Sequence, residues 1–284
     1  MNSDMYEEAI VDDVVSDEIV KPSAVEQMHT VSQMETQKST LGVFELPCGY
    51  IDPKTQELIT DVEVREITGY EEDMLASDKI PNSQKITLLL TGCIVRFGVV
   101  TDATRIGRMV QNLTTGDKTF LVFAIRRVTL GDELPIRERC PSCGVSTLFI
   151  VDLKEELQAK VMPDRRKRVF DVVLPSGKTA RFRVSSGTDE SRLARMRGKK
   201  KNLDGPSQAI LMRLELLNDE PPTLKMVKSL GMSDRRYLMK KFLEVEGGID
   251  TTLELDCPAC GYDWKKDLDM KTASFFSPGD QQKL

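Results

Sequence analysis

The sequence predicts an α+β fold of two tandem repeats, each a β-hairpin, a set of helices and a β-flanked zinc knuckle, joined at one four-cysteine zinc-ribbon-like site. Two observations carry that expectation. The first is a motif that occurs twice, Cys140-Pro-Ser-Cys-Gly144 and Cys257-Pro-Ala-Cys-Gly261. Proline fixes φ inside each loop, and the following glycine accepts the positive φ that folds the loop back under a metal. Two such loops supply four sulfurs, the number Zn²⁺ takes in a tetrahedron. The competing readings are two reduced turns that hold no metal, and thioredoxin-like redox pairs. A redox pair normally opens a helix whose dipole lowers a thiol pKa, whereas both motifs here sit between strand-like segments.

The second observation is self-similarity at a shift of 117 positions. With no gap from Arg96 to Leu153, the shift superposes Arg96 on Arg213, Asp102 on Asp219, Met109 on Met226, Leu113 on Leu230 and Asp117 on Asp234. It also brings Gly131 onto Gly248, all four knuckle cysteines onto one another, and Asp152 onto Asp269. Upstream, with gaps, Leu46-Pro47 and Thr68-Gly69 resemble Leu174-Pro175 and Ser186-Gly187. Each of these leads into an acidic helix start. The expected divisions are an acidic arm (1–42), repeat 1 with the first knuckle (43–154), a linker (155–168), repeat 2 with the second knuckle (169–272) and a tail (273–284).

The arm carries nine acidic residues against Lys21 and Lys38, with apolar residues that follow neither helical nor strand periodicity. Alone in water such a segment cannot bury enough surface to offset the entropy of ordering, so a partner is expected to order it. In repeat 1, the stretches from Phe44 and from Thr60 predict a hairpin around Asp52-Pro53, and Thr68 caps a helix that opens on Glu71 and Glu72. An apolar helix is expected from about Ser83 to Phe97, and a short one after Thr101-Asp102. A longer helix runs from about Thr114 until Gly131 stops it, and strands Leu134–Arg139 and Val145–Val151 flank the knuckle. The linker holds the basic run Arg165–Arg168.

Repeat 2 restarts with a hairpin from Val169 to Val184 that turns at Ser176-Gly177. A helix follows from about Asp189 into the cluster Arg195–Lys201, and Gln208–Leu217 answers the apolar helix of repeat 1. Thr223 opens a short helix, and Ser233-Asp234 caps a long one through Val245. Strands Thr251–Asp256 and Tyr262–Met270 flank the second knuckle, and Phe275-Phe276 read as exposed aromatics that could dock on a neighbour.

The whole chain has 284 residues, 30% of them charged, and a formal net charge of −5, which fits one or two domains with an ample core. No apolar run reaches membrane-spanning length, and the N-terminus lacks the basic-then-apolar pattern of a signal peptide. Four of the six cysteines lie in knuckles, so a reducing compartment is expected, with Cys48 and Cys93 as ordinary buried or half-buried thiols. The candidate metal ligands are Cys140, Cys143, Cys257 and Cys260, and Zn²⁺ is the expected ion. Four thiolates leave no coordination position for water, so the ion would be structural. The lone His29 lies in the arm, and no nucleophile elbow, phosphate loop or dinucleotide fingerprint is present, so no enzyme is expected. The basic clusters raise a nucleic-acid reading, which the acidic balance and the lack of interleaved aromatics oppose.

Leu46-Pro-Cys-Gly-Tyr-Ile-Asp52, the stretch 62–76, Cys93–Gly98 and the two Cys-Pro-x-Cys-Gly segments, in that order, resemble the T4-type baseplate hub and tail-assembly proteins of tailed bacteriophages. The resemblance covers most of residues 43–270 and leaves the arm outside it. It implies a structural zinc-binding subunit of a contractile-tail baseplate, in the virion and, during assembly, in the host cytoplasm. Its partners would be other baseplate and tail proteins. The alternatives are an assembly chaperone absent from the mature virion and, more weakly, a zinc-ribbon nucleic-acid binder.

Overall fold

Hairpin β1–β2 is the first element of the described residues, with β1 at Leu41–Ile51 and β2 at Leu58–Arg65. The structure, a computed structural model, describes residues 41–155, 158–187, 189, 205–268 and 275–276, which hold seven helices and twelve strands. Leu41 and Gly42 pair with Arg65 and Val64, so the strand begins inside the span expected for the arm. Alternation buries Val62 and Val64 fully on one face of β2. At the turn, Asp52 accepts from the Lys54 and Thr55 N–H groups at 2.8 and 3.3 Å, which closes the chain back on itself.

Helix α1 (Gly69–Ala76) starts where Thr68 donates from its N–H and hydroxyl to Glu71 Oε2 at 2.9 and 2.7 Å. Helix α2 (Asn82–Cys93) is shorter than expected: Ile94–Phe97 forms strand β3 on the outer side of β2. A buried apolar run does not by itself distinguish helix from strand. Here Arg96 reaches across the sheet to Asp61 and Glu63 at 2.6 and 2.9 Å, a cross-strand contact that favours the extended form. Asp102 caps α3 (Ala103–Asn112) by accepting from the Arg105 N–H at 2.7 Å. Thr114 caps α4 (Thr115–Leu130), and Gly131, at φ 83°, ends it.

The second half repeats the three-stranded order with β7 (Val169–Val173), β8 (Thr179–Arg183) and β9 (Leu214–Leu217). Again the apolar segment divides, into α5 (Gly205–Arg213) and β9, where a longer helical element was expected. Phe97 pairs with Val62 and Leu217 with Ala180, at matching places in the two sheets. The gap-free alignment therefore does not reach Arg96 and Asp102. The register recovers through α6 (Leu224–Lys228), which has 5 residues where α3 has 10. Helix α7 (Met232–Val245) starts after Gly231, so Asp234 lies in the first turn instead of at the cap. The helix start expected near Asp189 and the cluster Arg195–Lys201 lie outside the described residues, apart from Asp189 itself.

Two large apolar cores result, beside a small third cluster of Cys48, Met162 and Val184. One gathers the first sheet, α2–α4 and the strands around both knuckles, β4 (Glu133–Arg139) with β5 (Ser146–Asp152) and β11 (Thr252–Asp256) with β12 (Asp263–Asp267). It also takes in Phe275 and Phe276, only 3% and 7% exposed, with Phe275 edge-on to Phe123 at 5.0 Å. These aromatics are core residues and do not form the outward docking pair expected. The other core holds the second sheet with α5, α6 and α7. Cys48 and Cys93 are fully buried, as expected.

Between the halves, the segment read as a linker contributes β6 (Ala159–Lys160), paired with β10 (Gly248–Ile249). The basic run is spent inside the chain. Arg165 pairs with Glu45 at 2.5 Å, and Arg166 donates to the Gln56 carbonyl at 3.2 Å. Arg168 donates to the Cys48 and Gly49 carbonyls at 3.0 and 2.6 Å. Arg165 and Arg168 hold the irregular centre of β1, where Gly49 takes φ 72° and the register with β2 shifts, and Arg166 holds the turn that follows it.

Candidate metal centre

Each knuckle is the tip of an antiparallel hairpin, β4–β5 or β11–β12, whose register runs unbroken to the loop. In the first loop the Cys140 N–H donates to the Val145 carbonyl at 2.9 Å, and the Gly144 N–H to the Cys140 carbonyl at 3.0 Å. The second loop has the same pair of bonds, Cys257 to Tyr262 at 3.0 Å and Gly261 to Cys257 at 2.8 Å. Gly144 and Gly261 lie at φ 74° and 67°, which a side chain would strain, so the glycine after each motif has a steric cause.

The hairpins meet tip to tip. Cys140 Sγ lies 3.7 Å from Cys260 Sγ, and Cys143 Sγ 3.6 Å from Cys257 Sγ. All four sulfurs fall within 4.8 Å of one another. A disulfide needs about 2.05 Å, so these are thiols in contact. Metal–sulfur bonds of about 2.3 Å in a tetrahedron set sulfurs about 3.8 Å apart, close to the two short separations here. The donor set, four soft sulfurs and no oxygen, is compatible with a metal site of the closed, structural kind.

Cys140 and Cys257 are buried, while Cys143 and Cys260 are exposed. Burial alone would raise the Cys140 thiol. The N–H groups of Cys143 and Ser142, with the Cys143 and Cys257 thiols, outweigh it and bring Cys140 down to about 7. At Cys260 the Tyr262 N–H favours the thiolate, yet partial loss of hydration at the sulfur and the three other sulfurs push it up to about 12. Sulfurs this close cannot all ionise against one another, and a divalent cation among them removes that conflict.

Side chains behind the loops bind the hairpins together. Phe149 of β5 packs edge-on against Trp264 of β12 at 5.9 Å, and Lys266 of β12 pairs with Glu138 of β4 at 3.2 Å. Arg139 donates to the Gly144 carbonyl at 2.8 Å and steadies the first loop. Asp152 accepts from the Lys154 and Glu155 N–H groups at 2.8 and 3.1 Å. Asp269 lies outside the described residues.

Sequence reasoning named the four cysteines, and the structure brings all four together. It missed the pair that fixes each half, Asp117 and Asp234. Asp117 accepts from the Cys48 N–H at 2.8 Å, and Asp234 from the Ser176 N–H at 3.0 Å, each the residue after a Leu-Pro pair. The signal was present, since both aspartates survive at the 117-position shift.

The family model described as T4 bacteriophage base plate protein matches residues 53–277, a span that takes in both knuckles. No curated protein and no solved structure matches the chain.

Proposed function

The chain belongs to the T4 bacteriophage base plate protein family, and from that premise we propose that it is a structural zinc-binding subunit of a contractile-tail baseplate, holding neighbouring baseplate proteins together. The observation that carries the zinc reading is the cluster of four thiols drawn from two hairpins, with contacting sulfurs 120 residues apart in the chain. Cys140, Cys143, Cys257 and Cys260 would hold the ion. Its chemistry there would be that of a clasp, fixing the ends of two sequence-distant hairpins and fixing no substrate. The halves are read as copies of one unit, supported by equal knuckle hydrogen bonds and by Asp117 and Asp234 in matching contacts.

The span 155–168 is then the strap between the copies, with Arg165 and Arg168 tying it to β1. Those bonds leave three arginines of the basic run engaged with this chain, which supports a protein-contacting role over a nucleic-acid one. Among the described residues no helix is long and apolar enough to cross a membrane.

Purified tail particles should contain the chain together with zinc, and phage carrying Cys140→Ser should stop at baseplate assembly. A chain needed for assembly but absent from purified particles would be an assembly factor, and the subunit reading would fail.

A further inference from the structure

A cleft of about 460 Å³ opens between the β1–β2 turn and α3, away from the thiol cluster. We propose that this cleft is a docking site for an acidic segment of a neighbouring polypeptide, one that presents carboxylates beside an apolar side chain. The proposal rests on the baseplate reading only in taking the neighbour to be a protein.

The floor is apolar and fixed. Tyr50 and Met109 line it, 9% and 2% exposed, and the Tyr50 ring is held edge-on by Phe97 at 5.7 Å. The rim is cationic, formed by the exposed Lys54, Arg105 and Arg108. One of these charges is already used, because Arg105 pairs with the buried Asp52 at 3.0 Å. Asp52 is held ionised by the Lys54 N–H, then against burial by the Thr55 N–H and Arg105, so it locks Arg105 as part of the wall. Lys54 and Arg108 have no carboxylate partner among the described residues, and Arg108 reaches only the Thr104 carbonyl, at 3.5 Å.

Two unpaired cations over an apolar floor match a ligand that brings negative charge and one apolar group together. The volume lies within the roughly 300–1,000 Å³ of pockets that enclose such groups. A planar guanidinium takes a carboxylate in two parallel hydrogen bonds, which gives direction as well as charge. A nucleic-acid strand would need a track of cations along its phosphates, whereas this cleft offers two, beside a fixed carboxylate.

The test uses the purified full chain and a fluorescein-labelled peptide, Asp-Glu-Phe-Glu-Asp, against its amide counterpart, Asn-Gln-Phe-Gln-Asn. The acidic peptide is expected to bind saturably and at least tenfold more tightly than the amide one. Arg108→Glu should weaken it at least tenfold, while Lys178→Glu, an exposed charge reversed on the β7–β8 turn, should leave it unchanged. Should Arg108→Glu fail to fold, Arg108→Gln reads the same loss at smaller amplitude. No saturable binding at millimolar peptide would overturn the proposal. So would equal weakening by Lys178→Glu, or tighter binding of single-stranded DNA. Zinc content measured on the same variants should not change, which separates failure here from failure of the zinc reading.

Discussion

Glu71 receives two nitrogens of Arg65, at 2.8 and 3.1 Å, while Thr68 donates to it from N–H and hydroxyl. Asp189 holds the matching place in the second half, bound by Arg183 at 2.6 Å through each nitrogen and by the Ser186 N–H and hydroxyl at 3.0 and 2.9 Å. In both cases one carboxylate joins a hairpin-strand arginine to the N–H and hydroxyl of a residue three positions before it. Burial opposes ionisation of Glu71, but Arg65 and Thr68 outweigh it and hold the group at about 2 against an ordinary 4.5. A lowered folded-state pKa means that stability is fully present above the ordinary value and is lost as pH falls toward the folded one. The advantage of wild type over Glu71→Gln in thermal midpoint should therefore be constant near neutrality and shrink as pH drops below about 4.5. A gap that stays constant to about pH 3 would show that the ionised carboxylate contributes no such stability.

Among the elements, α4 is the one whose position most constrains the rest. A methyl group on Gly116 would lie 2.0 Å from the Gly247 carbonyl oxygen and 3.1 Å from Gly248 Cα, so its first turn packs directly on the backbone leading into β10. Exposed helix interiors gain from Gly→Ala, but a clash with backbone cannot be relieved by a side-chain rotation. Gly116→Ala should cost about 1–3 kcal/mol in denaturant unfolding; neutrality or a gain would mean that the two backbones are not in contact. Helix starts were legible at Thr68, Asp102, Thr114 and Thr223 because a capping side chain is a local signal. Strands β3 and β9 were not, since Ile94–Phe97 and Leu214–Leu217 continue apolar helices without punctuation, and only pairing with β2 or β8 makes them extended. Phe275-Phe276 was misread for a related reason: two aromatics in a polar tail reveal their burial only once the surface of Phe123 is in place.

Across the whole molecule, the division of the sequence and the division of the core differ. Leu253 and Leu255, from the second knuckle hairpin, are buried in the core that contains the first sheet, and Phe149 and Trp264 close the same junction. The cysteine spacing made the four-sulfur cluster legible, because a pair of thiols completes only half of a tetrahedron. Which core the second hairpin joins was not legible, as alternating leucines fit either one. Structural zinc contributes on the order of 10 kcal/mol of folding free energy, so if the proposed ion is bound here its loss should loosen both halves together. Whether one zinc is shared by the two knuckles of a single chain is read directly by native mass spectrometry, which gives zinc content and molecular mass at once. A monomer carrying one zinc is expected, with none retained after either Cys140→Ser or Cys257→Ser. Zinc found only on a dimer, with half of it kept after Cys140→Ser, would contradict the shared site.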